Sequence, residues 1–244
     1  MTNISHEREV DRIRHAYAAR AAADYGDRYS YFNPGNLFII QDRDRAMLRV
    51  LREAACHPLG QRNILEVGCG TGFWLRQFIQ WGADPNRLCG LELDRARAAH
   101  ARRACPAATT IVVADAGRAP VRSASFDLVF QSTLFTSVLD DEVRRALANE
   151  MLRAVRPGGL ILWYDFRYNN PSNPDVRGIG RREIERLFPG CAMQFHSLTL
   201  APILARTLAP VSWTGCRLMN LVPPLRTHLL VVIRGRADAP RRES

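Results

Sequence analysis

Residues 64–72 of this chain read Ile64-Leu65-Glu66-Val67-Gly68-Cys69-Gly70-Thr71-Gly72. A short apolar run containing one carboxylate, Glu66, is followed by a glycine at every second position. A helix-like stretch, residues 73–81, comes directly after the loop. A strand, a glycine-rich loop and a helix in this order are typical of a nucleotide site at the carboxyl edge of an α/β sheet, because glycine lets the backbone approach a ligand closely.

The glycine spacing indicates which kind of ligand the loop binds. A dinucleotide site has the pattern G-x-G-x-x-G and rests a pyrophosphate on the helix N-terminus. Here the pattern is E-x-G-x-G-x-G, and the carboxylate of Glu66 would repel a pyrophosphate. It would instead attract a cationic ligand with an amino group. S-adenosylmethionine (SAM), which carries a sulfonium and an α-ammonium, is such a ligand.

Four further blocks follow the glycine loop: Gly90-Leu91-Glu92-Leu93-Asp94, Val113-Ala114-Asp115-Ala116, Ser125-Phe126-Asp127-Leu128-Val129-Phe130 and Leu152-Arg153-Ala154-Val155-Arg156-Pro157-Gly158-Gly159-Leu160. With these blocks in order, residues 60–165 resemble the class I SAM-dependent methyltransferases, of the small-molecule type found in bacterial biosynthetic clusters. The resemblance implies SAM as the cofactor, S-adenosylhomocysteine as its product and a Rossmann-like fold.

Predicted strands and helices alternate along the middle of the chain. The strands are 62–67, 87–92, 109–114, 126–131 and 158–164, and the helices are 73–82, 94–104 and 140–155. This alternation predicts an α/β fold with a doubly wound parallel sheet and helices on both faces. After a short helix at 181–188, residues 191–199 and 226–234 are two more predicted strands. With the resemblance, they give a seven-stranded, mostly parallel sheet whose last strand is antiparallel.

We expect a single SAM-binding domain, residues 61–235, with added cover segments. Residues 1–60 are predicted to form an N-terminal helical lid or extension, with helices over 6–25 and 40–56 and a loop over 25–38. Within the domain, the leucine- and proline-rich insertion 200–224 is predicted to be part of the lid, because long apolar insertions near a site often cover it. Residues 236–244 are predicted to be a disordered tail.

The composition indicates which partners and metals the chain is expected to bind and whether its cysteines are reduced. The net charge is +10, but the basic residues are all arginine and are dispersed along the chain. Pairs such as Arg144-Arg145 and Arg181-Arg182 are predicted to lie on solvated helix faces, which argues against nucleic acid as a partner. The six cysteines are scattered without a metal-like cluster, so reduced structural thiols and no metal are predicted.

The sequence also bears on location and assembly. No apolar run reaches the roughly 18 residues of a membrane span, and the polar residues 1–14 do not predict a signal peptide. We therefore expect a cytoplasmic protein without a membrane span, acting on a small-molecule acceptor as a monomer or homodimer.

The resemblance assigns cofactor contacts residue by residue. Glu66 matches the position that contacts the SAM ammonium, and Glu92, with Leu93 beside it, matches the position that accepts from the ribose hydroxyls. Asp94 is instead predicted to be the N-cap of the following helix. The loop positions that would approach the cofactor are Gly68, Cys69, Gly70 and Gly72.

Further cofactor contacts are predicted on later strands. Asp115 matches the residue that accepts from the adenine amino group, and the Ala116 amide matches the one that meets a ring nitrogen. The alternative for the carboxylates is that they cap their own turns. Gln131 follows the fourth strand at the edge where ligands bind. Tyr29, with Tyr25 and Tyr31, lies on a loop where aromatic faces could attract a sulfonium, or could simply pack the N-terminal helices.

Candidates for acid–base catalysis are few. Thr136 and Ser137 occupy the place where many relatives carry histidines, so an imidazole base is not predicted there. Asp165, with Tyr164 beside it, is the candidate base at the end of the fifth strand, although it could also cap a loop. His196 and His228 lie in predicted strands and are expected to be structural.

The expected reaction is transfer of the SAM methyl group to an O or N atom of a small-molecule acceptor, natural-product or sugar-like, by in-line SN2 displacement. Alignment of the reactants can lower such a barrier by roughly 7–11 kcal/mol. Two alternatives stay open: an RNA or protein methyltransferase that uses the basic surface, and a non-catalytic SAM-binding regulatory protein.

Overall fold

The computed structural model describes residues 2–22, 26–170 and 173–235. The strands in this part are β1 (Ile64–Val67), β2 (Leu88–Glu92), β3 (Thr110–Val113), β4 (Phe126–Ser132), β5 (Val155–Phe166), β6 (Ala192–Leu200) and β7 (Arg226–Arg234). The α-helices are α1 (Thr2–Ala22), α2 (Pro34–Glu53), α3 (Phe73–Gln80), α4 (Arg95–Ala104), α5 (Asp141–Ala154), α6 (Arg181–Leu187), α7 (Pro202–Leu208) and α8 (Trp213–Met219).

All seven strands form one sheet in the order β3-β2-β1-β4-β5-β7-β6. The pairings among β1 to β5 are parallel, and β7 is antiparallel to both of its neighbours. The predicted α/β fold with an antiparallel last strand is therefore confirmed. The strand order reverses between β1 and β4, which is the point where open α/β sheets bind ligands.

Each face of the sheet is covered by its own set of helices. Side chains alternate along the strands, so Leu128 and Phe130 of β4 join one apolar cluster with α2, α3 and α4. Val129 points the other way and joins a second cluster, to which α1, α5 and α6 contribute. Helices on both faces bury the sheet almost completely, as the doubly wound prediction requires.

Helix α2 begins earlier than the sequence predicts. Its first residue is Pro34 rather than residue 40, and Asn33 is its N-cap. The Asn33 side chain accepts hydrogen bonds from the backbone amides of Gly35 and Asn36, at 3.0 and 3.1 Å. The Asn-Pro-Gly stretch that indicated a loop is thus a helix start, since asparagine at the N-cap and proline at the first helical position favour one. The predicted loop 25–38 is reduced accordingly.

The insertion 200–224 folds into two short helices, α7 and α8, above the carboxyl edge of the sheet. Leu200 at the end of β6 pairs with Arg226 at the start of β7. His228 pairs with Phe166 at the end of β5, so this connection emerges at the same edge as the ends of the parallel strands. The helices pack on the start of α2 through a third apolar cluster: Phe38, Leu200, Ala205, Ala209 and Cys216.

Arg144 departs from its predicted solvated position. Its side chain is buried, its Nε donates to the Val138 carbonyl at 2.6 Å, and its Nη1 pairs with Glu183 at 2.6 Å. A buried charge is tolerated only when it is paired in this way. Arg181, by contrast, is largely exposed, as predicted.

Two expectations fall on residues outside the described part: the predicted tail 236–244 and the side chain of Tyr25. Within the described residues, no helix combines the length and the apolar character that crossing a bilayer requires.

The contact between α2 and α7 gives a stability prediction. A Cβ on Gly35 would lie 2.3 Å from the Arg206 Cα, so the two backbones meet with no room for a side chain. We expect Gly35→Ala to force α7 away from α2 and to lower the free energy of unfolding by about 1–3 kcal/mol. Gly235→Ala is the control, because a Cβ at Gly235 has no heavy atom within 4 Å. Equal denaturation midpoints for the two variants would contradict this packing.

Candidate functional site

The glycine loop adopts the left-handed backbone conformation that its glycines permit. Gly68, Gly70 and Gly72 have φ angles of 74°, 56° and 77°. The loop is anchored by the Cys69 amide, which donates to the Leu91 carbonyl of β2 at 2.8 Å. A Cβ on Gly68 would lie 3.0 Å from a Leu134 methyl group, and β-carbons are disfavoured at these φ angles. Only glycine therefore keeps this loop close to the ends of β1 and β4.

Two buried polar side chains flank the reversal of strand order. Glu66 lies in β1, and Gln131 pairs beside Val67 in β4. The Oε2 of Glu66 and the Nε2 of Gln131 have no hydrogen-bond partner among the described residues, although both side chains are buried. The other end of Gln131 accepts from the Leu134 amide at 3.1 Å. Because unpartnered buried polar atoms are costly, they indicate a site for a polar ligand.

The electrostatics of Glu66 favour a cation. Burial, followed by the nearby charge of Glu92, raises the pKa of Glu66 well above its ordinary value. A cationic group bound next to the unpartnered Oε2 would offset both effects by stabilising the ionised carboxylate. This is the chemistry expected for an ammonium ligand at Glu66.

Glu92 fastens the glycine loop to the next helix. Its Oε2 accepts from the Gly70 amide at 2.7 Å and its Oε1 from the Asp94 amide at 2.9 Å. Asp94 caps α4, as predicted, by accepting from the Arg97 amide at 2.8 Å. The carboxylate that the sequence assigns to ribose recognition thus lies at the end of β2, beside Leu93 and against the loop, where it also has a structural function.

Asp115 lies at the end of β3 and has two partners. Its Oδ1 accepts from the Gly117 amide at 2.8 Å, which caps the short turn beginning at Ala116. Its Oδ2 pairs with the Nε2 of His6 in α1. A ligand that donates to Oδ2 would therefore compete with His6 for this oxygen.

A pocket of about 490 Å³ lies between α1 and this part of the sheet edge. Its α1 side is lined by polar and charged residues around Val10, and its sheet side includes Leu93, Ala114 and Asp115. A pocket at the ends of β2 and β3 is where the resemblance places the adenosine half of the cofactor.

Helix α1 is held over the site by contacts that the sequence does not reveal. Glu9 accepts from the Leu139 amide at 2.5 Å, and Arg12 donates to the Ser137 carbonyl at 2.6 Å. The guanidinium of Arg97 lies 4.0 Å from the centre of the Tyr17 ring. The partners are far apart along the chain, and only the prediction that residues 1–60 form a lid indicated a function for α1.

Arg97 also faces the glycine loop, which sequence reasoning missed. A Cβ on Gly70 would lie 2.6 Å from the Arg97 Nη2. Burial lowers the pKa of Arg97, but the charge of Glu92 and the contact with Tyr17 outweigh burial and raise it overall. The guanidinium therefore stays charged and links α1 to the loop through Tyr17.

Asp165, the predicted base, is buried at the end of β5. The Thr136 hydroxyl donates to its Oδ1 at 2.6 Å, and the Thr136 amide donates to its Oδ2 at 3.2 Å. Burial raises the pKa of Asp165 to about 7, against these hydrogen bonds, which favour the ionised form. In this structure Asp165 fastens the turn Phe135–Ser137 to β5.

Tyr164 and His228, near Asp165, are packed in positions where neither changes its charge near neutral pH. The Tyr164 hydroxyl is 2.9 Å from the Thr199 hydroxyl, and burial raises the pKa of Tyr164 to about 12. His228 stacks on Tyr164 with ring centres 4.8 Å apart, and burial followed by the charge of Arg43 lowers the pKa of His228 to about 3. Both side chains therefore stay neutral near pH 7, which fits the structural interpretation of His228.

Tyr29, also predicted to contact the cofactor, lies on the turn before α2, beside α7. Its ring is largely exposed and lies 5.8 Å from the Arg206 guanidinium of α7. Whether it reaches the cofactor stays a prediction. Across the described residues, no group of three or more His, Cys, Asp and Glu side chains is placed to hold a metal ion.

Comparisons of the sequence and of the fold with known proteins indicate the kind of domain to which this site belongs. Residues 64–159 match a family model described as a methyltransferase domain. An uncharacterized methyltransferase of Mycobacterium sp. (strain JLS) is 33% identical over 137 residues, 55% of this chain and 52% of that protein. A malonyl-[acyl-carrier protein] O-methyltransferase of Hahella chejuensis is 37% identical over 102 residues, 41% of this chain and 35% of that protein.

Among solved structures, an S-adenosylmethionine-dependent methyltransferase from Mesorhizobium loti has a similar fold, with a TM-score of 0.57. The match covers 76% of this chain and 96% of that chain, and the two sequences are 22% identical.

The comparisons define the class of the domain. The solved structure shares the fold, and the family model covers the glycine loop and the strands β1 to β4. Residues 64–159 match a methyltransferase domain, and the described residues share the fold of SAM-dependent methyltransferases. The chain spans about half the length of the first curated relatives it matches.

The residues present fit SAM as the cofactor. The unpartnered Glu66 Oε2 suits its ammonium, and the loop around Gly68 and Gly70 leaves no room for a side chain. Glu92 and Asp115 stand at the ends of neighbouring strands, the latter in the wall of a pocket. Glu66 would hold the amino-acid part of SAM, Glu92 the ribose and Asp115 the adenine.

The raised pKa of Glu66 predicts a pH-dependent affinity for SAM. The free protein binds a proton at Glu66 more readily than usual, and a bound ammonium favours its release. Affinity should therefore be highest above the raised pKa and fall by up to about tenfold per pH unit below it. Calorimetric titrations over a pH series would measure this. Glu66→Gln should bind more weakly but with a flatter profile, and an unchanged slope would contradict the assignment.

The contact between His6 and Asp115 predicts opposite effects of two substitutions. Asp115→Ala removes a charged acceptor for adenine and should weaken SAM binding about tenfold to a hundredfold. His6→Ala frees the same carboxylate oxygen and should tighten binding. Calorimetry at one pH compares the two variants. Weaker binding in both would mean that His6 supports the cofactor rather than competing with it.

Proposed function

We propose that this chain transfers a methyl group from SAM to an O or N atom of a small-molecule acceptor. The observation that carries the proposal is the cover over the carboxyl edge of the sheet. Helix α1 lies over the ends of β2, β3 and the turn after β4, and α7 packs on α2 beside the ends of β5 and β6. A site covered from both sides favours a compact acceptor over a long polymer.

We assign the lid to these same segments. Helix α1 covers the cofactor half through His6, Glu9 and Tyr17, and the α7–α8 insertion covers the other half. The lid has a physical function, because excluding water strengthens every electrostatic interaction within the site. For a small acceptor to enter, one of the two covers has to move.

The cofactor supplies an activated methyl group on a sulfonium. The chain then has to hold the acceptor in line, exclude water and, where the acceptor is a hydroxyl, take up a proton. We propose Asp165 for that proton, through the Thr136 hydroxyl that donates to it, because its pKa of about 7 is suited to general base catalysis near neutral pH.

A pH profile tests the role of Asp165. With a hydroxyl acceptor, the rate should rise with pH to a plateau above about pH 7, because the group is active when ionised. Asp165→Asn should lower the plateau about a hundredfold or more and abolish the rise, while SAM affinity shows that the site is intact. An unchanged profile would leave Asp165 with its structural function alone.

The proposed activity is tested by following labelled methyl groups. Mass spectrometry of the purified protein first shows whether SAM or S-adenosylhomocysteine is retained. Methyl transfer from labelled SAM is then measured to planar phenols and amines, to mixed RNA and to protein. We expect label in the small molecules only, and none with Gly70→Arg, whose side chain would enter the space of Arg97.

The other outcomes identify the alternatives. Salt-sensitive labelling of RNA would favour a nucleic acid methyltransferase, which the net charge of +10 makes the second candidate. SAM binding without transfer to any acceptor would favour a regulatory protein.

A further inference from the structure

The segment that connects β6 to β7 has an unusual surface. Residues 200–225 contain no Asp or Glu, whereas the whole chain has 24. The inner face of α7 and α8 is already filled by the apolar cluster around Phe38. The two helices and the residues just after each of them nevertheless expose large apolar side chains: Ile203 at 75%, Val211 at 84%, Leu218 at 61% and Leu221 at 68%.

The loop before α2 extends this surface. Phe32 is 93% exposed and Tyr31 is 54% exposed. The loop is joined to α7 by the contact of Gly35 with the Arg206 backbone and by the Tyr29 ring beside the Arg206 guanidinium. We call the combined area the cap surface, defined by Tyr31, Phe32, Ile203, Val211, Leu218 and Leu221 with Arg28, Arg206 and Arg217.

The charges of the cap surface are mainly cationic, although Asp42 of α2 accepts a hydrogen bond from Asn220 beside it. Among the described residues, Arg28, Arg206 and Arg217 take part in no ion pair. Asp27 is the one acidic residue in 26–41. Apolar side chains interspersed with arginines are the pattern of a segment that lies in a membrane interface, where arginine reaches the phosphates while apolar groups enter the acyl boundary.

We propose that the cap surface docks onto an anionic lipid bilayer. Phe32, Ile203, Leu218 and Leu221 would enter the interface, and the arginines would lie against lipid phosphates. A second copy of this chain fits less well, because a symmetric contact would place a surface with three arginines and fewer neighbouring carboxylates, Asp27 and Asp42, against itself. No described helix crosses the membrane, so the attachment is peripheral.

Docking in this way would bring the site close to the bilayer. The cap surface belongs to the connection at the carboxyl edge, where the parallel strands end. An amphiphilic acceptor could then pass from the lipid to the site beneath α7 and α8. This consequence rests on the proposed function, whereas the docking itself does not.

Vesicle co-sedimentation tests the docking directly. The full chain is mixed with phosphatidylcholine vesicles that either contain or lack phosphatidylglycerol, at low and high salt. We expect binding to the phosphatidylglycerol vesicles, weakened by salt because surface charges are screened. Leu218→Ser and Leu221→Ser should each reduce the partition coefficient about tenfold, and Arg217→Gln about fivefold.

Two control variants distinguish docking through the cap surface from nonspecific binding to vesicles. Leu48→Ser removes an apolar side chain that is 43% exposed on α2, outside the cap surface, and Arg182→Gln removes an exposed charge on α6. Both should bind vesicles like the unmodified chain. SAM affinity and thermal unfolding confirm that every variant is folded, and they do not depend on methyl transfer.

Three results would overturn the proposal. One is the absence of vesicle binding at low salt. The second is an equal loss in the Leu48 and Leu218 variants. The third is self-association, or binding to an acidic protein, that depends on the cap surface while the vesicles are ignored, as sedimentation equilibrium would reveal.

Discussion

The carboxylate of Glu92 holds the ligand-binding edge of this fold together. One oxygen accepts from the amide of Gly70 and the other from the amide of Asp94. A single side chain therefore sets the glycine loop, the start of α4 and the end of β2 relative to one another. Hydrogen bonds to a buried carboxylate are strong, and the loop needs such anchors because glycine loses more conformational freedom on folding than any other residue.

The cover over this edge is made of elements that are distant in sequence. Helix α1 reaches the ends of β3 and β4 with charged side chains, and the β6–β7 connection reaches the start of α2 with small ones. The two covers work by different physics. Helix α1 is held by hydrogen bonds and ion pairs, which a competing ligand can replace with its own polar contacts. The β6–β7 connection is held by close packing, which a polar ligand cannot replace.

The sequence predicts well what is local. The strand, the glycines and the following helix form from neighbouring residues, so β1, its loop and α3 lie close to their predicted bounds, and Asp94 caps α4 as its position indicates. The prediction was wrong at the start of α2, because an Asn-Pro-Gly sequence can form either a turn or a helix N-terminus, and here Asn33 is an N-cap. It also could not show that Arg144 is buried or that His6 meets Asp115, because those depend on partners 39 and 109 residues away.

The α7–α8 segment has an evolutionary consequence. It packs through its own small apolar cluster, separate from the two clusters that hold the sheet between its helices. Drift in its length or outer side chains would leave the folding core and the glycine loop intact. Such a segment is free to diversify, so related chains could acquire new specificities by exchanging this connection alone while inheriting an unchanged catalytic framework.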